Sequence, residues 1–362
     1  MAYTTIDDGS EYFHTQLYTG NGSSGHSITN DANAGDFQPD WLWIKPRSAS
    51  DNHVLFDSNR GNNKQLKSNG TDAEDTHSPA RLTFETDGFD LDTTDGNYNG
   101  NGTTYVAWQW KANGGSTTTV NAGTVDTNST TACVRQVNTT AGFSIITYTA
   151  DSDGEQFLEH GLGVAPTWLI VKDRGNTESW QVGHQGNTGT TAFHNFLELD
   201  GNGASTANSN RWLNTAPTAN LINIGSGNSV GGNGRNYICY AFAEIQGYSK
   251  FSSFKGNGNA DGTFVYTGFK PAWLMIKETV SGGGWGMWDN KRTPNNAMTI
   301  RLLANTNAAD DTSNDNSVDF LSNGFKMRTS SGGFNQSSTE IIYMAFAEHP
   351  FVSSKGVPTT AR

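Results

Sequence analysis

The chain has 362 residues, 42 of them glycine, with 34% hydrophobic, 11% aromatic and 16% charged, a length that suits two to four domains. Its formal net charge of −12 comes from 35 acidic against 23 basic residues, and no basic run interrupts it, which argues against the clustered cations that a nucleic-acid backbone requires. Cys133 and Cys239 lie too far apart in the sequence to read as a disulfide framework or a zinc ligand set. No stretch approaches the roughly 18 apolar residues of a membrane span.

In chain order, the opening Met1-Ala-Tyr-Thr-Thr-Ile-Asp-Asp8 has neither a charged leader region nor an apolar one. The expectation is synthesis in a cytoplasm without a signal peptide. Tyr18-Thr-Gly-Asn-Gly22 then begins a first unit, followed by Phe37-Gln-Pro-Asp-Trp41-Leu-Trp-Ile-Lys45, by Phe84 and Gly88-Phe89, and by Tyr105-Val-Ala-Trp-Gln-Trp110. Each run is short, apolar and bounded by turn residues, which predicts β-strands. Pro two residues before Trp suits a strand entrance. Lys45 is expected to end its strand at the solvent.

Residues 113–141 are rich in Thr, Asn and Gly and read as an extended connector, with one strand allowed over 131–137. The pattern then repeats. Val164-Ala-Pro-Thr-Trp168-Leu-Ile-Val-Lys172 leads to Tyr237-Ile-Cys-Tyr-Ala-Phe242, and Phe269-Lys-Pro-Ala-Trp273-Leu-Met-Ile-Lys277 leads to Ile341-Ile-Tyr-Met-Ala-Phe346. From Trp to the closing Trp or Phe the separations are 69, 74 and 73 residues. Near-equal spacing of two unrelated patterns marks internal repetition. The third copy keeps the Gly324-Phe325 mark, whereas the second lacks it.

The fold expected is all-β: three tandem jelly-roll or concanavalin-like β-sandwich domains at 1–112, 142–248 and 249–353, with a tail at 354–362. Trp41, Trp168 and Trp273, together with Trp110, Phe242 and Phe346, are expected in the core. Replacing Trp168 or Trp273 by Ala is expected to destabilise the domain that holds it.

The chemistry-bearing candidates are few. Glu85 and Asp87 sit on a stretch similar to the paired-carboxylate strand of glycan hydrolases, yet the third copy keeps the Gly-Phe and replaces the acids, which makes the segment a turn. Asp151, Asp153 and Glu155 offer oxygen ligands at calcium-like spacing, against a solvated acidic turn. His184 and His194 read as surface residues flanking a loop. Trp212, Trp285 and Trp288 lie outside the shared strand signatures and are the candidates for stacking on glycans, although Trp288-Asp289 matches Phe56-Asp57 of the first copy. No residue set for catalysis or for a cofactor emerges, and none is expected.

With these motifs in view, the chain resembles marine phage virion proteins described as tail-fibre-like or lectin-like. The resemblance rests on the opening octapeptide, Gly161-Leu-Gly-Val-Ala-Pro166, Tyr266-Thr-Gly-Phe-Lys-Pro-Ala-Trp-Leu274 and Tyr343-Met-Ala-Phe-Ala-Glu348. It implies a non-enzymatic component of the virion surface, present in multiple copies, and it brings no catalytic residues with it. Its partners would be major capsid or tail proteins or further copies of itself. The absence of heptad or collagen-like tracts favours a capsid decoration, knob or short fibre over a long trimeric shaft. The alternatives are an adhesin for host surface polysaccharide and, third, a glycan hydrolase.

Overall fold

A computed structural model describes residues 2–359 apart from 32–34, 125, 152–153, 188–190 and 281. It is almost entirely β, and every named strand pairing is antiparallel. The first large sheet has six strands in the order Phe13–Thr19, Thr104–Trp110, Trp41–Pro46, Val54–Asp57, Gly61–Leu66 and Asp75–Thr76. The second repeats that order with Phe143–Thr149, Asn236–Phe242, Trp168–Asp173, Gln181–His184, Asn195–Glu198 and Thr206–Ala207. The third runs Ser249–Lys255, Glu340–Pro350, Phe269–Glu278, Gly286–Asp289 and Leu302–Leu303. In each sheet the closing strand therefore lies between the opening strand and the Trp strand.

A small outer sheet covers one face of each large one. His26–Ile28, Gly88–Leu91 and Leu82–Glu85 form the first, Gln156–Glu159 with Leu221–Ile224 the second, and Phe264–Tyr266, Gly324–Met327 and Val318–Leu321 the third. The hairpins at 82–91 and 318–327 turn through two residues, so Glu85 and Asp87 belong to a strand end and a turn. Their Gly88 and Gly324 are obligatory for a local reason. A Cβ at either would collide with the carbonyl oxygen of the next strand, Ile28 or Val265.

The Trp strands are buried on both faces because alternate residues serve two cores. Leu42, Ile44, Val54 and Phe56 face the first outer sheet, while Trp41, Trp43, Leu55, Trp108 and Trp110 face a centre shared by all three segments. In the second segment Leu169, Val171 and Cys239 face outward, and Trp168, Ile170, Tyr240 and Phe242 face the centre. The third segment's apolar side chains run continuously into that central cluster.

The central rings close a cycle. Trp41 of the first segment stacks on Tyr240 of the second with centroids 4.4 Å apart, and Trp168 of the second meets Trp285 of the third at 6.1 Å. Trp273 of the third meets Trp110 of the first at 5.6 Å, and Phe13 stacks on Phe346 at 5.3 Å. Three sandwiches thus share one core instead of forming a string of separate ones. The 113–141 connector is corrected accordingly: Thr118–Val120 and Cys133–Asn138 extend the second large sheet, the latter pairing along the whole of Phe143–Tyr148. Its threonines and valines suit an outer pleated position.

Candidate functional site

Trp41, Trp110, Trp168, Phe242, Trp273 and Phe346 are all buried. So are Trp212, Trp285 and Trp288, and the stacking role read for those three is corrected: no ring face is left for a sugar. Trp212 packs edge-on to Phe193, Trp285 Nε1 donates to Glu198 O at 2.8 Å, and Trp288 Nε1 donates to Asn316 O at 3.1 Å. The large exposed aromatics lie elsewhere, at Phe264 and Tyr266 on the edge strand of the third outer sheet. Asp151 and Glu155 are exposed and Asp153 lies outside the described residues, so the calcium candidate is not assembled among them. Among the described residues no group of three or more His, Cys, Asp and Glu side chains is placed to hold a metal ion.

Lys45, Lys172 and Lys277 are also corrected, from strand-end solvent residues to fully buried ones. They share the inward parity of the tryptophan four positions earlier. Their ammonium groups donate to the carbonyls of Pro46, Asp173 and Glu278, at 2.6, 2.8 and 2.6 Å, and Lys172 crosses to Thr71 O of the first segment at 3.2 Å. Burial pulls each down to about 8. The two free cysteines are buried, and burial pushes Cys133 up to about 11.

The polar chemistry of the molecule concentrates at the three seams between segments. Antiparallel pairing sets Trp41 opposite Asp57, Trp273 opposite Asp289 and Trp168 opposite His184. At the first–second seam a tight turn folds Arg60 back on Asp57, whose carboxylate also accepts from Tyr240 Oη at 2.6 Å. Arg60 continues to Glu74 at 2.9 Å, and Arg174 of the second segment grips Glu74 through two bonds of 2.9 and 3.0 Å. The third–first seam repeats this chain. Arg292 bonds Asp289 at 2.6 Å, Trp108 Nε1 donates to Asp289 at 3.1 Å, and Asp310 joins Arg292 at 3.0 Å to Arg47 at 2.8 Å. Burial works against the charge on Arg60 and Arg292, but the adjacent carboxylates outweigh it and hold both guanidiniums above their usual range.

Backbone bonds show which residues correspond at the remaining seam. Glu74 N donates to Arg174 O at 2.8 Å, Asp310 N to Arg47 O at 2.8 Å, and Ser205 N to Thr279 O at 2.7 Å. The second–third seam therefore carries His184, Asn187, Ser205 and Thr279 where the other two carry Asp, Arg, a carboxylate and Arg. His184, read from sequence as a surface residue, is buried edge-on against Trp168, 4.7 Å between centroids, and burial holds its pKa down to about 3. Its Nδ1 accepts from Gly186 N at 2.8 Å, which leaves the proton of the neutral ring on Nε2.

Two cavities border the seams. One of about 520 Å³ lies between the first and third segments, lined by Phe13, His14, Thr15, Lys291 and Glu348. The other, about 380 Å³, opens at the neutral seam, where Asn187, Asn195, Ser205, Thr279 and Glu340 line it. In the sequence the seam chemistry leaves one trace, Asp57-x-x-Arg60 recurring as Asp289-x-x-Arg292.

A family model described as a domain of unknown function, DUF7483, matches residues 8–350. No curated protein and no solved structure is similar enough to match.

Proposed function

Starting from a chain that belongs to the DUF7483 family, we propose that it is a non-enzymatic structural component of the exterior of a phage particle, a capsid decoration, knob or short fibre. The setting comes from the resemblance of its opening and strand motifs to marine phage virion proteins. The structural observation that supports it is the closed ring of three sheets on one core. A block of this kind spends its large side chains on internal cohesion and turns loops rich in Asn, Thr and Gly outward. Its near-threefold pattern suits docking on a symmetric shell, where many copies engage equivalent sites and modest contacts add up.

The test is the composition of purified particles of the phage that encodes it. The expected result is several copies per particle, reached by antibody on intact virions, and no new glycan ends when the isolated protein is incubated with host polysaccharide. Absence from purified virions would overturn the reading, as would polysaccharide cleavage lost on Glu85→Gln or Asp87→Asn.

A further inference from the structure

Each small outer sheet ends in a strand with one open side, and the three open sides differ. Gly88-Phe89 corresponds to Gly324-Phe325, and pairing sets Ile28 opposite Phe89, Val265 opposite Phe325 and Leu158 opposite Ile222. Ile28, Leu158 and Val265 are buried in their sandwiches. Ser27, Phe157 and Phe264 therefore correspond, as do Thr29, Glu159 and Tyr266. Antiparallel bonding alternates along a strand. Met327 N donates to Thr263 O at 3.2 Å and Thr267 N to Asn323 O at 3.0 Å, so the N–H and C=O groups of Phe264 and Tyr266 face away from the sheet. His160 N donates to Asn220 O at 3.2 Å, which turns those of Phe157 and Glu159 outward in the same way.

In the second segment the chain itself covers that side. Thr130 N donates to Phe157 O at 3.1 Å, Phe157 N donates to Thr130 Oγ1 at 2.9 Å, and Thr131 bridges Leu158 in parallel. The covering stretch, Thr127-Asn-Ser-Thr-Thr-Ala132, has no charged side chain. The first segment presents two exposed hydroxyl residues, Ser27 and Thr29, instead of an aromatic one. The third combines the aromatic of the second with an open side: no described residue bonds the outward main-chain groups of Phe264 and Tyr266, which are 45% and 55% exposed. Natural sheets blunt such edges with charge or proline. This one holds two rings in place. Tyr266 Oη lies 3.2 Å from Tyr3 Oη, which donates to Gly268 O at 2.8 Å, and the Phe264 ring passes over Gly324, where a Cβ would come within 3.2 Å of its Cε2. The charges beside them are already matched, since Lys326 and Arg328 reach Asp261 at 2.7 and 3.1 Å and Arg328 reaches Asp319 at 3.1 Å. An incoming strand thus meets main-chain donors and acceptors and aromatic surface, and no unpaired charge calls for one of its own.

We propose that Phe264–Tyr266 is a docking edge for an extended, uncharged segment of a partner polypeptide, which adds to the third outer sheet as residues 128–132 add to the second. In such additions the main-chain bonds supply affinity and the side-chain contacts supply selectivity. The proposal goes beyond the particle reading and stands apart from it: a protein absent from virions could still take a strand, and a virion component could dock through other surfaces.

The experiment titrates the full chain with the acetylated, amidated peptide of residues 127–132 and follows backbone amide resonances by NMR. The same peptide with proline in place of Thr130 and Thr131 is the comparator, and the chain alone is sedimented over a range of concentrations. The amides of Phe264 and Tyr266 are expected to shift saturably with the first peptide and not with the second, and the chain to sediment as a monomer. Phe264→Ser with Tyr266→Thr gives the third segment the first segment's edge and should lower the affinity roughly tenfold or more. If that variant does not fold, Tyr266→Ala decides. No shift at Phe264 and Tyr266, equal shifts with the proline peptide, or undiminished binding in a folded variant would overturn the proposal. So would a concentration-dependent dimer lost in the double variant, which would give the edge to a second copy of the chain.

Discussion

Trp273→Ala tests whether the three sandwiches are one cooperative body. The indole lies at the third–first seam, 5.6 Å from Trp110, 6.1 Å from Phe346, 6.2 Å from Phe13 and 6.3 Å from Trp108 between centroids, and it is fully buried. Three of these four neighbours belong to the first segment, and none can collapse far, since each is pinned in its own strand. Removing a buried Trp costs about 3–5 kcal/mol through lost burial and an unfilled cavity. At roughly 2.1 cal/mol/K of unfolding entropy per residue, the whole chain unfolding together would lower Tm by on the order of 4–7 °C. Calorimetry should therefore show one transition in both proteins, displaced as a unit. Resolved transitions, with only the third segment's displaced, would refute the shared core and restore independent domains.

Four further outcomes are expected. Asp289→Ala breaks the buried pair with Arg292, which keeps only Asp310 as a carboxylate partner, and should cost ~3–5 kcal/mol in chemical denaturation; native stability in this variant would mean that the seam chain is ornamental. The pKa of His184 is about 3 in the folded chain against 6.5 unfolded, so the unfolded chain binds the proton first as pH falls, and stability is complete above pH 6.5 and lost toward pH 3. At about pH 5 the loss is roughly 2 kcal/mol from this residue, with His160, held down to about 4 by burial, acting in the same sense; His184→Phe should flatten the slope. Gly88→Ala or Gly324→Ala should destabilise by more than ~1 kcal/mol because the neighbouring carbonyl oxygen occupies the space of the new methyl, seen as a lowered denaturation midpoint. Limited proteolysis should cut first near the exposed 121–124 turn and leave the flanking strands attached, since both are held in the second sheet.

The repeat was legible because its two signatures are strands on which nearly every position is buried, so the apolar pattern survives divergence between copies. What the pattern hides is the destination of each face. Trp41 and Leu42 both read as core, yet one enters the common centre and the other the local sandwich. Lys45 shares Trp41's parity, and its charge suggested solvent, whereas backbone carbonyls supply its partners. Trp285 corresponds to His53 and Trp180: all three reach a carbonyl of the adjacent segment, Leu303 at 3.1 Å from His53 and Lys67 at 2.8 Å from Trp180. Aromatic identity was not kept at that position, so no motif announced it. The seam chains were legible only as Asp-x-x-Arg in two copies, because their partners lie a hundred or more residues away.

Joining three related sandwiches in one polypeptide changes what selection can act on. In a ring of identical subunits every substitution appears three times, so a residue that opens one seam opens all of them and weakens the ring threefold. Here one seam lacks the Asp–Arg chain that the other two carry. The molecule consequently has one seam of distinct chemistry, where a homotrimer would have three alike. A contact made through that seam would therefore be made once per chain, and could gain in strength only where several chains are held together.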